Sequence, residues 1–280
     1  MKATTRLFIL LALLAAAVFV LYGEPLAGLV SATLHREGSS HGIFVPFLSG
    51  YFVWLKRDRL KKAQLRCSFL PGGVLAAAAF ILLYSAHGSK EIMLPILSFL
   101  LLTAGLTLTL FGWQLCKEVI FPIFFLVTMV PLPATVYSRL AEWMRSLTTA
   151  GCVGFTQLLH LPIYRDGFTL YLPNVSLLVA PSCSGIRYLL SFFVFSLAYA
   201  FVLKKSAIAR ILVVLASVPI AIIAGVLRLS SIALAAYYIG PFMAGHKPHI
   251  IVSWLVFGVV LFSAITVDQL ASRIGRQSTV

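Results

Sequence analysis

The sequence is poor in charged residues, and acidic residues are the scarcest of all. Charged side chains make up 11% of the 280 residues, with 8 Asp and Glu against 22 Lys and Arg. Soluble domains carry about 25% charged residues, so this composition excludes a water-soluble globular enzyme. The hydrophobic content of 60% also excludes a disordered chain. The 4 cysteines have no C-x-x-C spacing, which argues against a disulfide framework or a zinc ribbon.

Long apolar segments take up most of the chain. Mean hydropathy is +1.00, as in integral membrane proteins, and a helical span needs about 20 apolar residues. Eight segments are candidates, at about 7–22, 43–55, 68–84, 92–111, 119–136, 185–203, 211–227 and 250–267. The short segment at 43–55 is either a span or a re-entrant structure. The sequence predicts an all-α integral membrane protein with about eight transmembrane helices, which form a single polytopic domain over residues 1–280.

Basic residues indicate the orientation of these helices. The densest basic run, at 56–62, is predicted to be cytoplasmic because cytoplasmic loops are enriched in Lys and Arg. With both termini in the cytoplasm, 14 of the 22 Lys and Arg fall on that side and 8 on the other. The bias explains the net charge of +14 as a topology signal, so a nucleic-acid partner is not expected.

The longest segment outside the membrane, at 137–182, lies on the non-cytoplasmic face of this topology. Its first half has the helical spacing of an interfacial amphipathic helix at 140–147. Its second half predicts a β-hairpin at 163–172 around the Asp166-Gly167 turn, and Pro173-Asn174 then turns the chain again. This insert of a helix and a hairpin leads directly to Cys183.

Three polar residues lie at the non-cytoplasmic ends of consecutive predicted helices. Cys183 begins the sixth helix, Arg228 ends the seventh and His249 begins the eighth. Such a trio is suited to acyl transfer, in which a thiolate attacks a carbonyl carbon, an imidazole carries the proton and a guanidinium stabilises the oxyanion. A helix N-terminus would also favour the thiolate of Cys183.

Each of these residues also has a structural interpretation. Arg228 alone is equally well explained as an interfacial anchor. A zinc site of His246, His249 and Cys183 is conceivable but has no carboxylate nearby, so neither a metal nor another cofactor is predicted. A disulfide between Cys152 and Cys183 would block the nucleophile. The remaining cysteines are predicted to be small buried hydrophobes: Cys67, Cys116 and Cys152.

At these residues the chain resembles the exosortase/archaeosortase family of integral membrane cysteine transpeptidases. The resemblance rests on Val-Ala-Pro-Ser-Cys-Ser-Gly-Ile-Arg at 179–187, on Arg228, and on His249 followed by Ser-Trp-Leu-Val-Phe-Gly at 253–258. It covers about residues 35–265, with supporting stretches at 40–42, 51–54, 121–126 and 130–133. Two positions depart from the family pattern, because Gly225 stands where Asn is common and Ser253 where Gly is usual.

The resemblance implies a function on the periplasmic side of a bacterial inner membrane. Such proteins cleave exported proteins at a C-terminal sorting signal made of a Pro-Glu-Pro-like motif, a hydrophobic helix and a basic tail. They form a thioester acyl-enzyme and pass the product to an acceptor nucleophile. The implied roles are nucleophile for Cys183, base and acid for His249, and oxyanion stabiliser for Arg228.

Basic residues on the same predicted face are candidates for binding the acidic residue of such a signal. They are Arg139, Arg145, Arg187 and Lys247. The competing hypothesis is a membrane component of exopolysaccharide export or assembly without peptidase activity.

Overall fold

The structure is a computed structural model, which describes residues 2–35, 40–63, 67–88, 91–181, 184–202, 207–244 and 258. It divides into two compact units, Met1–Ala134 and Thr135–Val280. The prediction of one polytopic domain over residues 1–280 stays a prediction.

The first unit contains five helices in its described part. They are α1 (Lys2–His35), α2 (Phe44–Leu55), α3 (Arg57–Lys62), α4 (Phe69–Ser85) and α5 (Met93–Phe125), with short 3-10 turns at Ser40–Ile43 and Leu126–Met129. Helix α1 extends well beyond the predicted span at 7–22 and includes Pro25. The predicted segments at 43–55 and 68–84 agree with α2 and α4 to within a residue.

Helix α5 is bent at Gly112. Its φ of 83° and ψ of −177° interrupt the helical geometry, and a positive φ of this kind is accessible mainly to glycine. Leu97 and Ala104, before the bend, and Ile120 and Val127, after it, line one cavity of about 430 Å³. A straight helix would separate residues 97 and 127 by about 45 Å. The two halves of α5 therefore fold towards each other, at the break that the sequence predicts between 111 and 119.

The prediction of a span at 119–136 is wrong at its C-terminal end. The α-helix ends at Phe125, and a 3-10 turn follows to Met129. Residues 130–133 are not helical, and the next helix begins at Ala134. Two prolines, Pro131 and Pro133, explain the interruption, because proline disfavours a helical conformation in the residue before it.

Polar contacts connect the helices of the first unit. The Tyr22 hydroxyl lies 2.7 Å from the Ser98 hydroxyl, which donates to the Ala79 carbonyl at 2.7 Å, so α1, α4 and α5 meet there. At the C-terminal end of α2, Lys56 Nζ lies 3.0 Å from a carboxylate oxygen of Glu118 in α5. Arg59 contacts the same oxygen at 4.0 Å. The basic run after α2 is thereby joined to α5 six residues beyond its bend.

The second unit contains three helices and a small sheet in its described part. They are α6 (Ala134–Leu158), β1 (Tyr164–Asp166), β2 (Thr169–Leu172), β3 (Val175–Leu178), α7 (Ile186–Val202) and α8 (Ala207–Tyr238). Helix α6 confirms and extends the amphipathic helix predicted at 140–147. The predicted hairpin is present as β1 and β2, and the segment after Asn174 adds β3 as a third antiparallel strand.

One face of the sheet packs against α6 and α8. Leu170 lies opposite Leu177 and Leu172 opposite Val175, so these inward side chains share one face. That face buries Leu170, Leu172 and Leu177 together with Cys152 of α6 and Leu229, Ala233 and Ala236 of α8. The three α8 residues are spaced at i, i+4 and i+7, which gives one helical stripe.

The sequence places the end of the seventh helix at 227, and this boundary is wrong. Helix α8 continues for ten residues beyond Arg228, to Tyr238. No proline or glycine stands between Arg228 and Tyr238, and the buried stripe on the sheet supports the extra turns. Arg228 is thus an interior residue of α8 and not a terminal one.

Three described helical segments are long and apolar enough to cross a membrane: Ala16–His35, Met93–Met129 and Ala207–Tyr238. Shorter apolar helices lie at His41–Leu55, Phe69–Ser85 and Ile186–Val202. Large apolar side chains on α4 and α8 are exposed, including Leu70, Ile81, Ile211 and Leu215, as expected for surfaces that contact lipid. The predicted span at 250–267 lies outside the described residues, apart from Gly258.

Candidate active site

The described residues on either side of 182–183 lie immediately before α7. Gly185 has a φ of 82°, and its carbonyl accepts the amides of Tyr188 at 3.0 Å and Leu189 at 3.1 Å. The Ser184 amide donates to the Pro181 carbonyl at 3.1 Å. The two residues that flank 182–183 are therefore hydrogen-bonded to each other, immediately before the helix begins.

Helices α6, α7 and α8 cross closely at two glycines. A Cβ placed on Gly185 would lie 3.7 Å from the Gly225 Cα and 3.6 Å from Thr148 Cγ2. A Cβ placed on Gly225 would lie only 2.5 Å from Thr148 Cγ2. Position 225 therefore has no room for a side chain while Thr148 keeps its methyl group. This contact explains why position 225 is occupied by glycine in this chain.

Arg228 lies less than one turn beyond this crossing and is 6% exposed. Its guanidinium carbon is 5.3 Å from the ring centroid of Tyr188, within the range of a cation–π contact. Tyr188 packs in turn with Met144 and Ala224 in one buried cluster. The guanidinium is thus held inside the second unit, beside the first turn of α7, and its burial does not support the interpretation of Arg228 as an interfacial anchor.

Of the predicted trio, only Arg228 lies among the described residues, and its neighbours are residues that follow position 183 in the chain. Arg228 contacts Tyr188, which is five residues after Cys183, and Gly225 adjoins Gly185, which is two residues after it. Cys183 and His249 themselves lie outside the described residues, as do His246, Lys247 and Ser253. The predicted zinc alternative falls on the same undescribed positions.

A family comparison covers almost the entire chain, including every residue of the predicted trio. The model of the transmembrane exosortase family matches residues 30–266. The chain belongs to the transmembrane exosortase family. No curated protein and no solved structure matches it significantly.

The basic residues predicted to bind the exosortase signal differ in their surroundings. Arg139 and Arg187 are exposed, whereas Arg145 is half-buried, with its guanidinium carbon 3.8 Å from the ring centroid of Phe168. A further arginine, Arg165 of β1, reaches Ser146 of α6. Arg165 is not among the binding residues predicted from the sequence, although the predicted hairpin already placed it on a strand beside the Asp-Gly turn.

Cys152 is a free thiol that is fully buried between α6, α8 and the sheet. Helix α6 is not among the candidate spans of the described chain. Burial raises the pKa of the Cys152 thiol from 9.0 to about 11, and the neighbouring Ser230 hydroxyl offsets part of this rise. The prediction of small buried hydrophobes is thus confirmed for Cys152 and also for Cys116, whereas it is wrong for Cys67, which is exposed.

Proposed function

We propose that this exosortase is a membrane-embedded cysteine transpeptidase of the bacterial inner membrane. Its substrates are exported proteins with a C-terminal tripartite sorting signal, which it cleaves on the periplasmic side before passing the product to an acceptor nucleophile. The observation that carries the proposal is the burial of Arg228 against Tyr188, beside the backbone that follows Cys183. A buried arginine in a membrane protein is costly and usually has a functional role.

The proposed reaction begins with transfer of the Cys183 thiol proton to the His249 imidazole. The thiolate attacks the carbonyl carbon of the scissile amide, and negative charge develops on the carbonyl oxygen. Arg228 donates hydrogen bonds to this oxyanion, which is stabilised most in a water-poor site. The C–N bond then breaks, His249 returns the proton to the leaving amine, and a thioester to Cys183 remains.

The thioester is resolved by a second nucleophile. An acceptor amine or water attacks the thioester carbon, His249 takes its proton, and the Cys183 sulfur leaves and is reprotonated. Basic residues on the same face, Arg139, Arg145, Arg187 and Lys247, attract the acidic residue of the signal in this proposal.

The charges around the bend of α5 support a cytoplasmic position for that end of the first unit. A Lys or Arg at the centre of a bilayer costs about 2.5–3.5 kcal/mol, and the cluster of Lys56, Arg59 and Glu118 lies close to Gly112 along α5. Placing the bend at the cytoplasmic surface lets the first half of α5 cross the membrane, and in this proposal the shorter second half leads the chain back towards the periplasmic side. The insert at 137–182 then faces the periplasm.

The test is processing of a co-expressed substrate that carries the sorting signal, in strains with wild-type protein or single variants. We expect Cys183→Ala and His249→Ala to abolish processing. Arg228→Ala should reduce it at least 100-fold, as expected when an oxyanion donor is removed. Cys152→Ala is the matched control and should process normally if the variant folds.

Membrane levels and detergent melting temperature of each variant separate chemistry from folding. Normal processing by a stable Cys183→Ala variant would overturn the peptidase proposal and favour a role in exopolysaccharide export.

A further inference from the structure

We propose that Arg145 and Arg165 together form a subsite that binds a carboxylate side chain of the substrate. This inference rests on the proposed function and names the residues that recognise the acidic part of the signal. Arg165 was not among the predicted binding residues, and the subsite lies between α6 and the β1–β2 turn.

Both guanidinium groups are held by the same two short segments. Arg145 stacks with its guanidinium carbon 3.8 Å from the centroid of Phe168. Arg165 Nε donates to the Gly167 carbonyl at 2.8 Å, and its Nη2 lies 3.5 Å from the Ser146 hydroxyl. Residues 145–146 of α6 and 165–168 of the turn are therefore in contact, and each of these two segments carries one of the arginines.

Neither arginine forms an ion pair within the described part of the chain. The described ion pairs join Lys56, Arg57 and Arg59 to acids, all in the first unit. Glu142 and Asp166, the acids nearest to these arginines in sequence, are both exposed. No described acid thus neutralises either arginine.

The Nε atom of Arg145 is shielded from solvent and donates to no acceptor among the described residues. The main chain at this position is well fixed, because the Thr149 hydroxyl donates to the Arg145 carbonyl at 2.6 Å. A buried charged donor without an acceptor is costly. A carboxylate that reaches this atom would remove the cost, and guanidinium groups bind carboxylates with two parallel hydrogen bonds.

The subsite adjoins the crossing that holds Arg228. Met144, the residue before Arg145, packs with Tyr188 and Ala224. Its Cε lies 3.7 Å from the Cβ position of Gly185. A peptide whose acidic side chain binds Arg145 and Arg165 therefore reaches the Arg228 region within a few residues. This proximity favours a peptide carboxylate over an anionic lipid headgroup as the ligand.

The experiment uses the full-length protein in nanodiscs and two synthetic peptides, one with Glu in the signal motif and one with Gln in its place. Arg145→Gln and Arg165→Gln should each raise KM for the Glu peptide about tenfold, equivalent to about 1.4 kcal/mol, with little change in kcat. For the Gln peptide, wild type and both variants should have the same high KM. Arg210→Gln, which removes an exposed arginine of the same unit, is the control and should match wild type.

Arg165→Glu provides a second variant if Arg145→Gln fails to fold. It should cleave a peptide with Lys in place of Glu better than wild type does. The subsite is wrong if the arginine variants lower cleavage of the Glu and Gln peptides equally. It is also wrong if their effect disappears in nanodiscs without anionic lipid, since the ligand is then a headgroup.

The Cys183→Ala variant separates this inference from the proposed function. If it still cleaves, the proposed function fails whatever the arginine variants do. If it is inactive while the arginine variants do not distinguish the Glu and Gln peptides, only the subsite fails.

Discussion

At the scale of single residues, the packing of the second unit requires glycine at position 225. Gly225 faces Thr148, and a Cβ at position 225 would lie 2.5 Å from the threonine methyl group. The Thr148 hydroxyl donates to the carbonyls of Met144 at 2.9 Å and Arg145 at 3.2 Å. The hydroxyl therefore bonds within α6, whereas only the methyl group restricts position 225.

This division of roles predicts a compensating pair of substitutions. Gly225→Ala should destabilise the protein by about 1–3 kcal/mol through overpacking, although alanine is the better helix former by about 1 kcal/mol. Thr148→Ser removes the methyl group and keeps the hydroxyl, so Thr148→Ser/Gly225→Ala should melt close to Thr148→Ser alone. Detergent melting temperatures of the four proteins measure this coupling. Equal losses from Gly225→Ala in both backgrounds would contradict it.

At the scale of elements, the extended C-terminal part of α8 is tied to the insert. Asn174, in the turn between β2 and β3, donates from Nδ2 to the Ala236 carbonyl at 3.2 Å and to the Tyr237 carbonyl at 3.0 Å. The last carbonyls of a helix have no partner within the helix. Asn174 thus caps α8 from the sheet, and the stripe of Leu229, Ala233 and Ala236 packs beneath it.

Replacing this cap should loosen the end of α8. Asn174→Asp removes the donor and adds negative charge at a helix C-terminus, where the helix dipole is unfavourable to it. We expect a loss of about 1–2 kcal/mol and faster amide hydrogen exchange at 234–238. Asn174→Gln keeps the amide donor and is the matched control. Unchanged exchange in Asn174→Asp would show that sheet packing alone holds these turns.

At the scale of the whole molecule, the distribution of charge predicts which surfaces face the cytoplasm. In a cysteine-free background, Lys61→Cys on α3 and Leu158→Cys at the end of α6 place exposed thiols in the two relevant regions. An impermeant thiol reagent should label Leu158→Cys in intact spheroplasts. It should label Lys61→Cys only after the membrane is permeabilised, because the basic run stays in the cytoplasm. The reverse labelling pattern would exclude the proposed orientation.

The local sequence pattern correctly predicted several helices and strands of this structure. Composition predicted a membrane protein, and apolar runs located α2, α4 and α7 to within a residue or two. The interruption between the apolar runs at 92–111 and 119–136 and the strands around Asp166-Gly167 were also predicted, because apolar runs and turn residues are local features of the sequence. Nothing beyond neighbouring residues is needed for such features.

Features that depend on contacts between residues far apart in the sequence were decided by the tertiary structure alone. It decided that α8 continues past Arg228, since the turns beyond it are supported by a sheet some 60 residues earlier in the chain. It also decided that Gly225 meets Thr148, that Arg145 stacks on Phe168 and that Arg165 reaches Ser146. Sequence periodicity shows which face of a helix is apolar but not what packs against it, so these contacts could not be predicted from the sequence.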